Sequence, residues 1–199
     1  MILPGSKNVR YDMDWLRQSG WERELSKYAQ QRGQLGGICG GYQMLGQQIH
    51  DPAGVEGNAG STPVLGLLPL ETTLGQEKVL RHSIGDWTGL KTSVHGYEIH
   101  MGQTRALQPL AAAIRVTRRD DSATDARDGA VSADGRIWGT YFHGLFEKPA
   151  FRQAFLRQFQ ADFQLQNRQD DPLFRDQQYN LLAEHFRQHL DMDKLLELL

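Results

Sequence analysis

The run Gly37-Ile38-Cys39-Gly40-Gly41 constrains this chain more than any other stretch. Small residues frame the only cysteine, and the flanks read as a short buried strand over residues 36–39 and a helix over residues 41–49. Glycines two before and two after the central residue permit a strained turn from strand into helix, which lifts a side chain above the sheet edge. Here the side chain is a thiol, so the pattern is the sulfur counterpart of a serine nucleophile elbow. The first N–H groups of the following helix, and its positive dipole end, are expected to favour thiolate over thiol. Upstream, Asp12 and Asp14 are expected to cap a helix through Trp15 and Leu16 that breaks at Gly20 and resumes over 21–31. Short apolar strands alternating with helices place the chain in the α/β class, with a mainly parallel sheet.

The middle of the chain reads differently. Residues 64–70, 94–104 and 111–118 look extended, and Asp134-Gly135 is a turn signal joining Ala130-Val131 to an apolar strand over 137–142. The charged run 118–128 reads as a solvated loop. Phe151, Phe155, Phe159 and Phe163 recur every fourth residue, as a core-facing helical stripe does. A last helix over 173–190 carries Tyr179, Leu182, Phe186 and Leu190, and residues 167–171 read as the linker before it. With 199 residues and no repeat, the expectation is one domain.

Composition removes several classes of function. Lys+Arg number 22 against 24 Asp+Glu, a net charge of −2, and no basic cluster is available to grip a nucleic-acid backbone. No apolar run approaches the ~18 residues that span a bilayer. A lone cysteine makes no internal disulfide, which fits a reducing, cytoplasmic setting. No G-x-x-x-x-G-K-[ST] phosphate-binding loop is present. Because Ile2-Leu3-Pro4-Gly5 already reads as the end of a buried strand, the chain is expected to be a fragment whose earlier strands lie upstream.

An elbow cysteine needs a base. Of His50, His82, His95, His100, His143, His185 and His189, His143 stands out: it follows the 137–142 strand and precedes Gly144, at the sheet edge where α/β proteins bind ligands. His185 and His189 are one helical turn apart, but Glu184 precedes the pair where a zinc-protease motif needs it between, so no metal site is expected. In the segment 95–102 a period of two puts Tyr97, Ile99 and Met101 on one face and Glu98 and His100 on the other, so His95 and His100 point apart. Glu98 and His100, flanked by glycines, are candidates to line a site.

These residues resemble the class I, triad-type glutamine amidotransferases in their cobyric acid synthase branch. Five ordered motifs carry the likeness: Leu3-Pro4-Gly5-Ser6-Lys7-Asn8, then Gly37 through Gly46, then Gly66-Leu67-Leu68-Pro69, then Gly96 through Gly102, then Gly139 through Phe146. The resemblance implies an open, mainly parallel, flavodoxin-like sheet with flanking helices and an antiparallel extension. It implies that Cys39 attacks the side-chain amide of L-glutamine and that His143 moves the protons. It further implies an oxyanion hole from the backbone of Gly40 and of Gly5 or Ser6, and glutamine contacts at Gln43 with Gly41, Glu98 and His100 around it. Triad members carry His-x-Glu, but position 145 is Leu, so the expectation is a Cys–His pair whose histidine is oriented by another acceptor, with Glu98 and Glu147 as candidates and a backbone carbonyl or water serving equally. This glutaminase part would use no cofactor. ATP, Mg²⁺ and the corrinoid substrate belong to a synthetase domain absent here, which would dock near Cys39. Two rivals are kept: the glutaminase subunit of a peptidoglycan lipid-precursor amidotransferase, and a non-catalytic docking module.

Overall fold

The computed structural model describes residues 1–165 and 172–197, so the expected linker at 167–171 lies outside the described residues. The chain divides into two compact units, Met1–Phe155 and Leu156–Leu199. The first unit begins β1 (Ile2–Leu3), α1 (Val9–Gln18), α2 (Trp21–Gln30), β2 (Leu35–Ile38) and α3 (Gly40–Met44). It continues through β3 (Gln48–Asp51), β4 (Gly60–Pro63), β5 (Leu70–Trp87), β6 (Thr92–Ala106), β7 (Ile114–Arg119) and β8 (Ser122–Asp128). β9 (Ala130–Val131), β10 (Ile137–Thr140), β11 (Phe142–His143) and α4 (Pro149–Leu156) follow.

Two sheets result. In the first, β1, β2 and β10 are parallel neighbours and β9 runs antiparallel at the edge. α3 and α1 pack beside it, with Met13, Leu25, Leu35 and Leu45 fully buried in the shared core. The second sheet has the order β11-β6-β5-β3-β4, with β7 on β5 and β8 on β7, and every pairing except β3 with β5 is antiparallel. The parallel sheet and flanking helices follow the expectation, and the antiparallel part is the larger of the two. The sheets are tied by rings: Trp87 of β5 lies 5.0 Å edge-on to Trp138 of β10 and 5.3 Å from Phe151 of α4.

Local departures from the sequence reading each have a physical cause. Helix α1 starts at an Asn8 cap whose side chain accepts from the Tyr11 N–H at 2.9 Å, while Asp12 accepts from the Ser6 hydroxyl at 2.5 Å instead of capping. Helix α3 is five residues long because the chain turns at Gly46, where any Cβ would meet the Leu70 carbonyl at 2.9 Å, and residues 48–51 become a strand. Of the residues 64–70 expected to be extended, only Leu70 is in a strand. The 118–128 run is a paired β-hairpin ending in a buried Asp128. The phenylalanine stripe holds only for Phe151 and Phe155, since α4 ends at Leu156 and Phe159 is exposed.

The second unit contains α5 (Pro172–His189) and α6 (Met192–Leu196). Ala183, Phe186 and Leu190 face Met192 and Leu195 across a groove of about 310 Å³. No described helix is long and apolar enough to cross a membrane.

Candidate active site

Cys39 is the hinge between β2 and α3, with φ 53° and ψ −111°, in the left-handed half of the map that branched side chains avoid. Three observations explain why the strain persists. Its N–H donates to the Thr140 carbonyl at 2.8 Å, fixing the turn to β10. The Gln43 N–H donates to the Cys39 carbonyl at 3.1 Å. Gly41 lies so close to β1 that a Cβ there would sit 2.3 Å from the Leu3 carbonyl, which only a residue without a side chain tolerates. The elbow is thus a product of close backbone packing as much as of the turn itself.

The sulfur is half-buried, and Sγ–H donates to the Ile99 carbonyl of β6 at 3.3 Å. Burial pushes the thiol above its ordinary pKa and the Gly40 N–H pulls it down by a smaller amount, so the resting group is a thiol. This corrects the expected thiolate: desolvation outweighs what a five-residue helix supplies.

His143 arrives from the second sheet. In the β11–β6 register it lies opposite Tyr97, and its ring stacks on that of Tyr97, with centroids 5.2 Å apart and planes 9° off parallel. Gly96 makes the approach possible, because a Cβ there would fall 2.0 Å from the His143 carbonyl. Burial lowers the imidazole pKa, and the Ile99 carbonyl beside the ring offsets part of that. Its Nε2 is buried and has no hydrogen-bond partner among the described residues. Convergence of the two side chains is read at Gly5, where a Cβ would lie 3.4 Å from His143 Cε1 and 3.7 Å from Cys39 Cβ. Two side chains 104 positions apart therefore flank one point of the β1–α1 loop. That loop also brings the Ser6 backbone nitrogen to Gly40, 2.7 Å from where a Cβ would stand.

The other expected residues separate into two groups. Gln43 is buried beneath the elbow, and its amide nitrogen donates to the Met101 carbonyl and the Tyr141 hydroxyl, each at 3.1 Å. His100 stacks on Tyr141 at 3.8 Å, and burial lowers its pKa. Glu98 is directed elsewhere: its oxygens accept from Nε and Nη2 of Arg119, each at 3.0 Å, and from the Ser83 hydroxyl at 2.6 Å. The Glu147 carboxylate lies against Gly144. A cleft of about 360 Å³, lined by His82, His95, Tyr97, Glu147 and neighbours, adjoins the Tyr97 side of this region without including Cys39 or His143.

Sequence reasoning allowed a backbone carbonyl behind His143 but could not name that of Ile99, because a main-chain acceptor leaves no mark in residue type, and it missed the Tyr97 stack, because strand register is not visible before pairing. It also missed Asp128, hidden at the end of a charged run. Its one signal was the following Gly129-Ala130-Val131, where a solvated loop gives way to small and apolar residues.

Comparison with known proteins identifies the family and the fold. The chain is 49% identical over all 199 residues to a cobyric acid synthase of Chlorobium chlorochromatii (strain CaD3), covering 39% of that protein. It is 48% identical over 198 residues to one of Chlorobaculum tepidum, covering 38% of it, and 44% identical over 198 residues to one of Paracoccus denitrificans, covering 39%. The chain therefore spans about two fifths of the length of these relatives. A crystal structure of a glutamine amidotransferase shares the fold at TM-score 0.54 and 20% identity, over 78% of this chain and 76% of the other. Residues 1–151 match the model of the CobB/CobQ-like glutamine amidotransferase domain, and the chain belongs to that family.

Proposed function

We propose that this chain is the glutaminase part of a cobyric acid synthase, releasing ammonia from L-glutamine at Cys39 for the ATP-dependent amidation of corrinoid side-chain carboxylates. The observation that carries the reading is the approach of the Cys39 side chain and the His143 ring to one point beside Gly5. In this reading the chain uses no cofactor of its own, and ATP and Mg²⁺ act in a synthetase part that docks on the face around Cys39. The relatives' name and their greater length support that division of labour.

The resting pair is a thiol and a neutral imidazole, given the directions of both pKa shifts. As glutamine enters, His143 takes the Sγ proton and the sulfur adds to the carboxamide carbon. The carbonyl electrons move to oxygen, and that oxyanion is held by the N–H of Gly40 and an N–H of Gly5 or Ser6; losing one such donor costs ~100-fold or more. His143 returns its proton to the amide nitrogen, the C–N bond breaks, and ammonia leaves a γ-glutamyl thioester. Water, deprotonated by His143, then cleaves the thioester to glutamate and restores the thiol. Gln43, Gly41 and His100 form the wall against which glutamine lies, and Glu98 acts behind them by holding Arg119. The strained φ at Cys39 keeps the sulfur presented without a conformational step.

The test is glutamate release from glutamine. Cys39→Ser is expected to abolish it and His143→Ala to lower it ~100-fold or more. Unchanged turnover in Cys39→Ser would overturn the reading.

A further inference from the structure

Two crossings between the sheets lie side by side in this fold, and one buried carboxylate ties them together. The chain leaves the antiparallel sheet at the end of β8, passes Asp128-Gly129, and enters the parallel sheet as β9; it leaves the parallel sheet at the end of β10, passes Tyr141, and re-enters the antiparallel sheet as β11. At the first crossing Gly129 has φ 70°, and a Cβ there would fall 2.1 Å from the Gly139 carbonyl, so the crossing is pressed onto β10. At the second, Tyr141 belongs to neither sheet, and its N–H needs an acceptor from outside the ladders.

Asp128, 5% exposed, supplies it. The Tyr141 N–H donates to both carboxylate oxygens, at 3.4 and 3.2 Å, and the Thr140 hydroxyl donates to Oδ2 in a very short contact. Because that hydroxyl's proton is committed to the carboxylate, its lone pair faces the Phe142 N–H, which donates to it at 3.1 Å. Three consecutive residues are fixed from one carboxylate, and the next residue is His143. The Tyr141 side chain extends the tie, its hydroxyl bonded to Gln43 beneath the elbow and to Thr104 of β6.

Resting on the glutaminase reading above, we propose that Asp128 is the positioning residue of the site: through Thr140, Tyr141 and Phe142 it sets where the His143 imidazole stands relative to Cys39. It touches neither substrate nor sulfur. Burial pushes its carboxyl up to about 6, with Glu98 adding and the Thr140 hydroxyl, Tyr141 N–H and Arg119 subtracting. A carboxylate kept in so unfavourable a place, with its acceptor capacity spent on one turn, is what holding that turn requires.

The experiment compares Asp128→Asn, Thr140→Val and Thr140→Ser with the parent chain. The readouts are kcat and KM for glutamine hydrolysis, the melting temperature, and the NMR titration of the His143 ring. Asp128→Asn puts an amide donor where two donors converge. It is expected to lower kcat ~10- to 100-fold with KM within ~3-fold, and to shift the His143 resonance with its pKa returning toward the ordinary 6.5 as the ring leaves its buried place. Thr140→Val, which loses the relay hydroxyl alone, is expected to act in the same direction, and Thr140→Ser, which keeps it, to restore turnover to within ~3-fold. Should Asp128→Asn not fold, the Thr140 pair decides the matter. Parent-like kcat and an unmoved His143 resonance in Asp128→Asn or Thr140→Val would overturn the proposal. A parent without turnover whose His143 resonance still moves on Asp128→Asn would instead overturn the glutaminase reading and leave the positioning role standing.

Discussion

Cys39 is held at the end of three short parallel strands where glycines let backbone pack directly on backbone, whereas His143 is held by a two-residue strand leaning on a long antiparallel arm that buries charge. In the first region geometry comes from close approach: Gly41 against the Leu3 carbonyl, and a non-glycine residue kept at positive φ. Such strain costs ~1–3 kcal/mol and survives because everything around it is tightly packed. In the second region geometry comes from polar ties. Glu98 sits opposite Phe142 in the register and is held by Arg119 and Ser83, and Asp128 holds the turn just before. In the proposed reaction the nucleophile has to be fixed rigidly, and packing does that. The proposed base has to keep an orientation while its proton changes places, and a network of directed hydrogen bonds does that.

The comparison is broken most severely at Gly96. An alanine there would drive its Cβ into the His143 carbonyl at 2.0 Å and force β11 off β6. Gly96→Ala is expected to reduce glutamine hydrolysis ~100-fold or more while leaving Cys39 open to iodoacetamide at the parent rate, because overpacking acts on the second region alone. Equal loss of both activities would mean that the two regions are one mechanical unit. A smaller effect is expected from Arg119→Met, which leaves the buried Glu98 carboxylate without its cation. Breaking a buried pair in this way costs about 3 kcal/mol, read as a fall in melting temperature. A melting temperature equal to the parent's in Arg119→Met would show that the ion pair does not matter to the arm.

The smallest effect is in the pH profiles. Burial raises the Cys39 pKa above its ordinary 9.0, so alkylation is expected to reach half its limiting rate above pH 9.0. Burial lowers the His143 pKa below 6.5, so the base stays neutral further into acid and kcat/KM is expected to hold until pH falls below 6.5. A thiolate already formed at pH 7, seen as pH-independent alkylation, would contradict the packing account of the first region.

The same division explains what could be read from the sequence. The elbow was legible because its signal is local: five residues state both the turn and the cysteine at its apex. His143 was legible from its place after an apolar strand. The second region was not, since its information lies in register. Strand β5 reads as polar through its middle because residues there are mostly exposed along the arm, yet its two ends are core. Glu98 reads as a lining residue until Arg119 and Ser83 are seen to occupy it. The helix past the elbow was overestimated because Met44, Leu45 and Ile49 suit a helix or a strand equally, and only the proximity of Gly46 to the Leu70 carbonyl decides.

The central claim is that sulfur and imidazole act together on a bound glutamine. A diazoketone analogue of glutamine, which alkylates a nucleophile only where the substrate amide would sit, measures this directly when labelled peptides are mapped by mass spectrometry. The account predicts that Cys39 alone is labelled, that free L-glutamine protects it, and that His143→Ala slows labelling at least ~10-fold with the fold intact. Labelling at another residue, or at Cys39 with the same rate in the His143 variant, would contradict it.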